Sequence, residues 1–187
     1  MHRKLRHDEL LQQRRSLEGI HAETRHPISL LLYNIRSLYN VGSLFRTGDA
    51  GFITKLYLCG YTPHPPRKEI EKTALGAVDT VPWEYSPDAK LLIPRLRAEG
   101  LNVMALEMTT QSRPVYSLQR EDYPLCLVLG NEITGVDDDV LELCSGAVDI
   151  PMYGVKHSLN VGVAGGIALF EAVRAWKDFS SMPVAHL

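Results

Sequence analysis

The chain has 187 residues, of which 45% are hydrophobic and 22% are charged, a balance typical of one soluble globular domain with a real core. Its longest apolar stretches, such as residues 28–32, are far shorter than the roughly 20 residues that a membrane-spanning helix needs, so no membrane partner is expected. The net charge of −2 excludes a global basic field of the kind that attracts nucleic acid. The basic N-terminal residues have no apolar segment behind them and do not resemble a secretory signal.

Basic residues are concentrated at the N-terminus. Residues 1–26 contain six Lys or Arg and four of the seven His, and the stretch at 8–19 has a helical pattern. We therefore predict a basic helical extension at 1–26, a main domain at 27–180 and a tail at 181–187. Two interpretations of the extension stay open, a solvated helix face and a surface that binds nucleic acid.

Apolar runs alternate with helical patterns through the main domain. Strands are predicted at 27–35, 55–60, 101–108, 124–130 and 147–151; helices at 41–52, 87–100, 135–144 and 159–178; a short helix and a strand within 73–86; and a loop at 61–68. Pro94 indicates either a kink in its helix or a later start. Because the strands are apolar throughout and alternate with helices, the pattern predicts an α/β fold in which helices cover both faces of a parallel sheet.

The cysteines and the acidic residues give little indication of a metal site. Cys59, Cys126 and Cys144 are odd in number and widely spaced, and no CxxC pair occurs, which disfavours a disulfide framework and a zinc site. The acidic run at 137–139 lacks the spacing and the following glycine of a calcium loop. We expect no metal and a reducing, cytoplasmic location.

Polar residues follow the first predicted strand, where ligands bind in an open α/β sheet. The motif NVGSLFRTGDAG contains Asn40 and Arg46. Asn40 either caps the following helix or contacts a ligand. Arg46 stands among Leu44, Phe45 and other apolar residues, so it needs an anionic or carbonyl partner from the protein or a ligand.

Two further polar motifs follow later strands. In LVLGNEITGV, Glu132 stands between glycines that permit a tight turn, and it would either cap the helix beginning near Val136 or bond an arginine such as Arg46. In DIPMYGVKHSLNVGVAGGIALFE, Ser158 or Asn160 would cap the last helix. GxGxxG after a strand, GxxxxGK[ST], HExxH and GxSxG are all missing, which disfavours Rossmann, P-loop, zinc-protease and α/β-hydrolase chemistry.

Taken in order, the three motifs resemble those of the SpoU (TrmH-like) family of RNA ribose 2'-O-methyltransferases, over about residues 28–176. The resemblance implies a parallel sheet flanked by helices with a C-terminal deep trefoil knot, S-adenosylmethionine as methyl donor, an RNA substrate and a homodimer without metal. Transfer RNA is favoured over ribosomal RNA. The alternatives are a catalytically silent RNA-binding module of the same fold and a knotted enzyme that methylates a base nitrogen; the intact motifs disfavour both.

The resemblance also implies roles for individual residues. Arg46 is expected as the base or as an electrostatic stabiliser that grips phosphate and 2'-oxygen; Asn40 holds ribose or phosphate; Glu132 positions Arg46 or Asn40; and Ser158 and Asn160 orient Arg46 or the ribose. Donor contacts, largely through backbone groups, are expected at Leu106, Glu107, Leu129, Gly130, Asn131, Ile150, Met152, Ser158 and Leu159. RNA contacts are expected at Arg36, Arg46, Arg67, Lys68, Arg14 and Arg15, with Arg3, Lys4 and Arg6 extending the basic track.

The last predicted helix carries three glycines in its first half, Gly162, Gly165 and Gly166. A glycine inside a helix costs about 1 kcal/mol relative to alanine. Such residues allow close approach of another backbone. Two explanations stay open: passage over the loops of the knot and a partner subunit, or an ordinary tight contact between helix and sheet.

Overall fold

The computed structural model describes residues 2–12, 19–20 and 23–181 and places a seven-stranded sheet at the centre of the protein. The strands are β1 (His26–Tyr33), β2 (Ile53–Cys59), β3 (Trp83–Ser86), β4 (Asn102–Leu106), β5 (Arg113–Pro114), β6 (Leu125–Leu129) and β7 (Gly146–Asp149). Every neighbouring pair is parallel, and the spatial order is β3-β2-β1-β6-β4-β7-β5. The predicted parallel α/β sheet is therefore confirmed.

Helices pack on both faces of this sheet. They are α1 (His7–Gln12), α2 (Leu38–Ala50), α3 (Lys68–Ala74), α4 (Ala77–Thr80), α5 (Ala89–Ala98), α6 (Asp138–Leu141) and α7 (Val161–Ser181). Because side chains alternate along a strand, Leu30 of β1 enters the core under α2, α3, α4 and α7, whereas Leu31 enters the core under α5 and α6. Burial on both faces explains the apolar runs at residues 30–33 of β1 and throughout β6, whereas β3 is only partly buried and contains Glu84.

The sequence patterns missed several local features. Helix α3 was not predicted, and it begins at Lys68, the last residue of the predicted loop at 61–68. Strand β5 and two short 3₁₀ turns, Val115–Ser117 and Arg120–Asp122, were not predicted either. Pro94 lies inside α5, which begins after the N-cap Asp88, so the alternative of a later start is wrong. Pro94 is on the exposed face of the helix.

The segment before β1 lies partly outside the described residues. Within it, α1 agrees with the predicted N-terminal helix, and Ile20 is buried. The Arg25 guanidinium donates hydrogen bonds to the carbonyl oxygens of Ile53 and Thr80, at 3.1 and 2.7 Å. Residues just before His26 therefore contact the sheet, and the domain boundary at residue 26 stays a prediction.

The glycines of α7 face neighbouring elements. A Cβ atom added at Gly165 would lie 2.7 Å from methyl carbons of both Leu129 on β6 and Leu44 on α2. A Cβ added at Gly166 would lie 3.7 Å from the Thr47 methyl group of α2. Close approach of α7 to α2 and to the sheet therefore accounts for Gly165, whereas a Cβ at Gly166 would make an ordinary van der Waals contact. Over residues 2–12, 19–20 and 23–181, no helix is both long and apolar enough to cross a bilayer.

Candidate active site

A cavity of about 270 Å³ lies where β4, β6 and β7 end at their carboxyl ends. This is the edge of a parallel sheet at which ligands bind. All nine residues predicted to contact the donor line it: Leu106, Glu107, Leu129, Gly130, Asn131, Ile150, Met152, Ser158 and Leu159. The cavity is also lined by nine residues that were not predicted to contact the donor: Met108, Glu132, Ile133, Thr134, Gly135, Asp149, His157, Val161 and Ala164.

One wall of the cavity is the loop that follows β6. Asn131 and Gly135 exchange both of their backbone hydrogen bonds, each 2.9 Å long. A Cβ atom added at Gly130 would lie 2.5 Å from the Gly135 carbonyl oxygen and 2.6 Å from the Val136 nitrogen. Gly135 itself has φ +70°, a conformation that favours glycine. Only a glycine at position 130 lets this loop close.

Carboxylates contribute the charged groups of the cavity wall. Glu107 Oε2 accepts a hydrogen bond from the Val136 nitrogen, and Oε1 accepts one from the Met108 nitrogen, both 3.1 Å long. Glu132 and Asp149 also line the cavity, and none of its described lining residues is Lys or Arg. Such a wall favours a positively charged ligand.

Asn131 ties this loop to the segments after β1 and β2. Its Nδ2 donates to the Asn34 carbonyl oxygen at 2.7 Å and to the Tyr61 hydroxyl at 2.8 Å, while its Oδ1 accepts from the Ile133 nitrogen at 2.8 Å. The amide is buried and fully used by the protein. Asn131 therefore shapes the cavity, and its side chain is not free for a ligand. Neither Asn34 nor Tyr61 was predicted as a partner of Asn131.

Glu132 accepts hydrogen bonds at the start of α2. Its carboxylate oxygens accept from the backbone nitrogens of Arg36 and Ser37, at 2.9 and 3.1 Å, and from Asn40 Nδ2 at 2.9 Å. Burial of the Glu132 carboxyl acts to raise its pKa, but the bonds from Arg36 and Asn40 outweigh this and hold the pKa below its usual 4.5.

Two alternatives for Glu132 are therefore settled. It does not cap a helix near Val136, because α6 begins later, after the N-cap Asp137. Its hydrogen-bonding partner among the candidate residues is Asn40 and not Arg46.

Asn40 and Asn160 continue this network. Asn160 Nδ2 donates to Asn40 Oδ1 at 3.2 Å, and Asn160 Oδ1 accepts from the Gly162 nitrogen at 2.9 Å, which caps α7. Ser158 does not fill that position. The N-cap of α2 is Ser37, so of the two alternatives for Asn40, the one in which it caps α2 is wrong. We call the chain Glu132–Asn40–Asn160 the rim network; it joins three segments that are far apart in the sequence.

Arg46 lies on the exposed face of α2, while its neighbours Leu44 and Phe45 are fully buried. It is six residues beyond Asn40, about 9 Å along the helix axis. Within the described residues, its guanidinium has no hydrogen-bond or ion-pair partner from the protein. The expected contacts from Glu132, Ser158 or Asn160 to Arg46 are absent from the described residues, and Ser158 lines the cavity as an exposed residue.

The predicted RNA-binding residues are spread around this edge. Arg36, Arg67 and Lys68 are exposed, and the last two stand at the start of α3. Arg14 and Arg15 lie outside the described residues. Arg3 forms paired hydrogen bonds with Glu9, at 2.6 and 2.8 Å, and this contact lowers the pKa of Glu9 to about 2. Across the part of the chain that the structure describes, no group of three or more His, Cys, Asp or Glu is placed to hold a metal ion.

Comparisons of the sequence and of the structure with known proteins indicate the same family. Residues 27–170 match the model of the SpoU rRNA Methylase family. A tRNA (guanosine(18)-2'-O)-methyltransferase from Thermus thermophilus is 30% identical over 87% of this chain and 82% of its own length. A 23S rRNA (guanosine-2'-O-)-methyltransferase from Vibrio vulnificus is 29% identical over 84% of this chain. The crystal structure of an AdoMet-bound rRNA methyltransferase from Sinorhizobium meliloti matches 81% of this chain with a TM-score of 0.75 and 28% identity.

The lengths of these relatives differ. This chain spans 63% of the Vibrio protein and 57% of the Sinorhizobium protein, less than two thirds of each. The match to the family model nevertheless covers most of the chain and includes all three polar motifs except the last residue of the third. The resemblance drawn from those motifs is confirmed, and the chain belongs to the SpoU rRNA methylase family.

Proposed function

We propose that this protein is an RNA 2'-O-methyltransferase that uses S-adenosylmethionine. The observation that carries the proposal is a single edge of the sheet that combines the cavity with the rim network. Relatives from Thermus and Vibrio are named for 2'-O-methylation of guanosine in tRNA and in 23S rRNA. A catalytically silent RNA-binding module would have no need for a donor cavity beside an exposed arginine and amide.

The cavity fits the donor. When bound, S-adenosylmethionine supplies a methyl group on a positively charged sulfur. The carboxylates of Glu107, Glu132 and Asp149 suit that charge, and Gly130 lets the loop that forms one wall of the cavity close against Gly135. Backbone groups at the ends of β4 and β6 provide the donors and acceptors that can recognise an adenine edge.

The residues on the rim orient the acceptor ribose. Glu132 holds Asn40 through a charge-assisted hydrogen bond, which fixes the amide beside a residue of the cavity wall. Arg46 grips a substrate phosphate and stabilises the negative charge that develops on the 2'-oxygen. A guanidinium stays protonated in proteins, so Arg46 acts by its charge and not as the base. Ser158, on the cavity wall, contacts the ribose or the donor.

A methylation assay tests this function directly. The purified protein, tritiated S-adenosylmethionine and EDTA are incubated separately with the tRNA and rRNA fractions of cells that lack the gene. We expect label in a 2'-O-methylated nucleoside after digestion of one fraction. Label in a methylated base, a requirement for a divalent ion, or no transfer to either fraction would contradict the proposal. The preference for tRNA stays a prediction that the two fractions decide.

A C-terminal knot is part of the proposal. It is supported by the position of α7, which packs against the connection between β4 and β6, a segment that comes earlier in the chain. The Tyr123 hydroxyl on that connection donates to the Ala172 carbonyl oxygen of α7 at 2.6 Å, and the Tyr123 ring packs 5.3 Å from the Trp176 ring, centroid to centroid. Such enclosure is what a threaded C-terminus requires, although knots are rare in proteins.

A homodimer through α7 is also part of the proposal. The helix exposes Val163, Ile167 and Phe170, each at 44% or more of its surface, and a second cavity of about 420 Å³ lies beside Ile167 and Phe170. Contiguous exposed apolar surface of this kind marks protein interfaces. Ile150 lines both this cavity and the donor cavity, which couples the interface to donor binding.

We expect Phe170→Glu to convert a dimer to a monomer in light scattering and to weaken donor binding, because the introduced charge would be buried between subunits. Leu91→Glu is the matched control, since Leu91 is 73% exposed on α5, on the opposite face of the sheet. A fully active wild-type monomer would refute the interface, as would a Phe170→Glu variant that remains dimeric.

A further inference from the structure

Tyr39 is an exposed aromatic residue beside the rim network. It lies in the first turn of α2, directly before Asn40, and 54% of its surface is exposed. In the described part of the chain, no ring packs against the Tyr39 ring and its hydroxyl has no hydrogen-bond partner. Its neighbours Val41 and Gly42 are buried, so the helix turns Tyr39 outward.

The position of Tyr39 on α2 relates it to Arg46. The two residues are seven apart, which is about two helical turns, so they lie on the same face roughly 10 Å apart along the axis. Ser43 stands between them and is also exposed. Tyr39, Ser43 and Arg46 thus form one exposed stripe that passes the rim network.

We propose that Tyr39 stacks against a base of the RNA substrate, either the base of the methylated nucleotide or its immediate neighbour. The inference rests on the proposed function. Proteins that recognise RNA commonly stack unpaired bases on aromatic side chains. The surroundings of Tyr39 are polar, with Arg36, Ser37, Asn40 and Ser43 nearby in the chain, so this single ring does not belong to an apolar protein interface like that of α7.

Stacking of a base on Tyr39 would help the reaction by orienting the ribose that is methylated. A base held on Tyr39 limits the rotation of its ribose, while Arg46 further along the stripe holds a phosphate. The 2'-oxygen is then held near Asn40, which is hydrogen-bonded to the cavity-lining Glu132. Tyr39 is therefore a positioning residue: it contacts RNA and not the donor.

The test compares Tyr39→Ala, Tyr39→Phe and Tyr39→Trp in the methylation assay, with the RNA fraction that the wild-type protein methylates. We expect Tyr39→Ala to raise the KM for RNA about tenfold, the size of one lost stacking contact, with donor affinity and thermal unfolding unchanged. Tyr39→Phe and Tyr39→Trp should retain KM values within about twofold of wild type, because both keep an aromatic face. The control is Leu91→Ala, which removes an exposed apolar side chain from the other face of the sheet.

Each outcome is decisive. A wild-type KM for RNA in Tyr39→Ala overturns the inference, as does a Tyr39→Phe variant as weak as Tyr39→Ala, which would assign the effect to the hydroxyl. A change in donor affinity or in unfolding temperature in Tyr39→Ala also overturns it, because the residue would then be structural. Failure of the wild-type protein to methylate either RNA fraction is a different result, which contradicts the proposed function itself.

Discussion

Arg46→Ala is expected to lower kcat for methyl transfer by about 10²–10³-fold, the loss seen when one preorganised donor to a developing oxyanion is removed. The physical reason is that Arg46 is exposed on α2 and is not used by any described part of the protein, so its charge is available to substrate. Affinity for S-adenosylmethionine should stay within a few-fold, because Arg46 is absent from the residues that line the donor cavity.

The companion variant is Arg46→Lys. We expect it to recover little activity, since an ammonium group is a point charge and cannot bridge a phosphate and the 2'-oxygen as a planar guanidinium can. The measurements are single-turnover methyl transfer with labelled donor and a separate calorimetric titration of donor. Near-wild-type turnover in Arg46→Ala would remove the residue from the mechanism. Loss of donor binding in that variant would instead place Arg46 in the donor site.

The strands and the long helices could be predicted because their signal is local. Fully buried parallel strands must be apolar on both faces, and β6 shows this in an unbroken run, as do residues 30–33 of β1. The position of the cavity also followed, because ligand sites in a parallel sheet lie at the carboxyl ends of the strands, and the cavity lies where β4, β6 and β7 end. Short elements such as β5 could not be predicted, since two residues carry no periodicity.

The partners of the polar side chains could not be read from the sequence. Glu132 accepts a hydrogen bond from the backbone nitrogen of Ser37, the N-cap of α2, across 95 residues, and Asn160 reaches Asn40 across 120 residues. Capping patterns in a sequence relate residues only a few positions apart, so they pointed to Asn40 for α2 and to a helix near Val136 for Glu132. Ser37 and Asn160 still cap α2 and α7 locally, and the three-dimensional meeting of the motifs adds the long-range hydrogen bonds that join Glu132, Asn40 and Asn160. Family resemblance placed the residues at one site but did not supply their pairing.

At Gly130, which lines the cavity, the addition of a single methyl group should strongly affect donor binding and stability. We expect Gly130→Ala to weaken donor binding by about 100-fold or more and to lower the free energy of unfolding by about 1–3 kcal/mol, as overpacking does. The added methyl would lie 2.5 Å from the Gly135 carbonyl oxygen and 2.6 Å from the Val136 nitrogen. Both are backbone atoms, so no side chain can rotate away, and the loop must open.

Opening the loop would break contacts that form the cavity wall. The paired backbone bonds between Asn131 and Gly135 would separate, and the Val136 nitrogen would leave the Glu107 carboxylate. Gly154→Ala is the matched control, because a Cβ at that exposed glycine would meet no atom within 4 Å. Donor titrations and thermal unfolding of the two variants separate the steric effect at Gly130 from a general effect of losing a glycine. Wild-type donor affinity in Gly130→Ala would mean that the donor binds elsewhere, whereas equal losses in both variants would show that the effect is not specific to the closed wall.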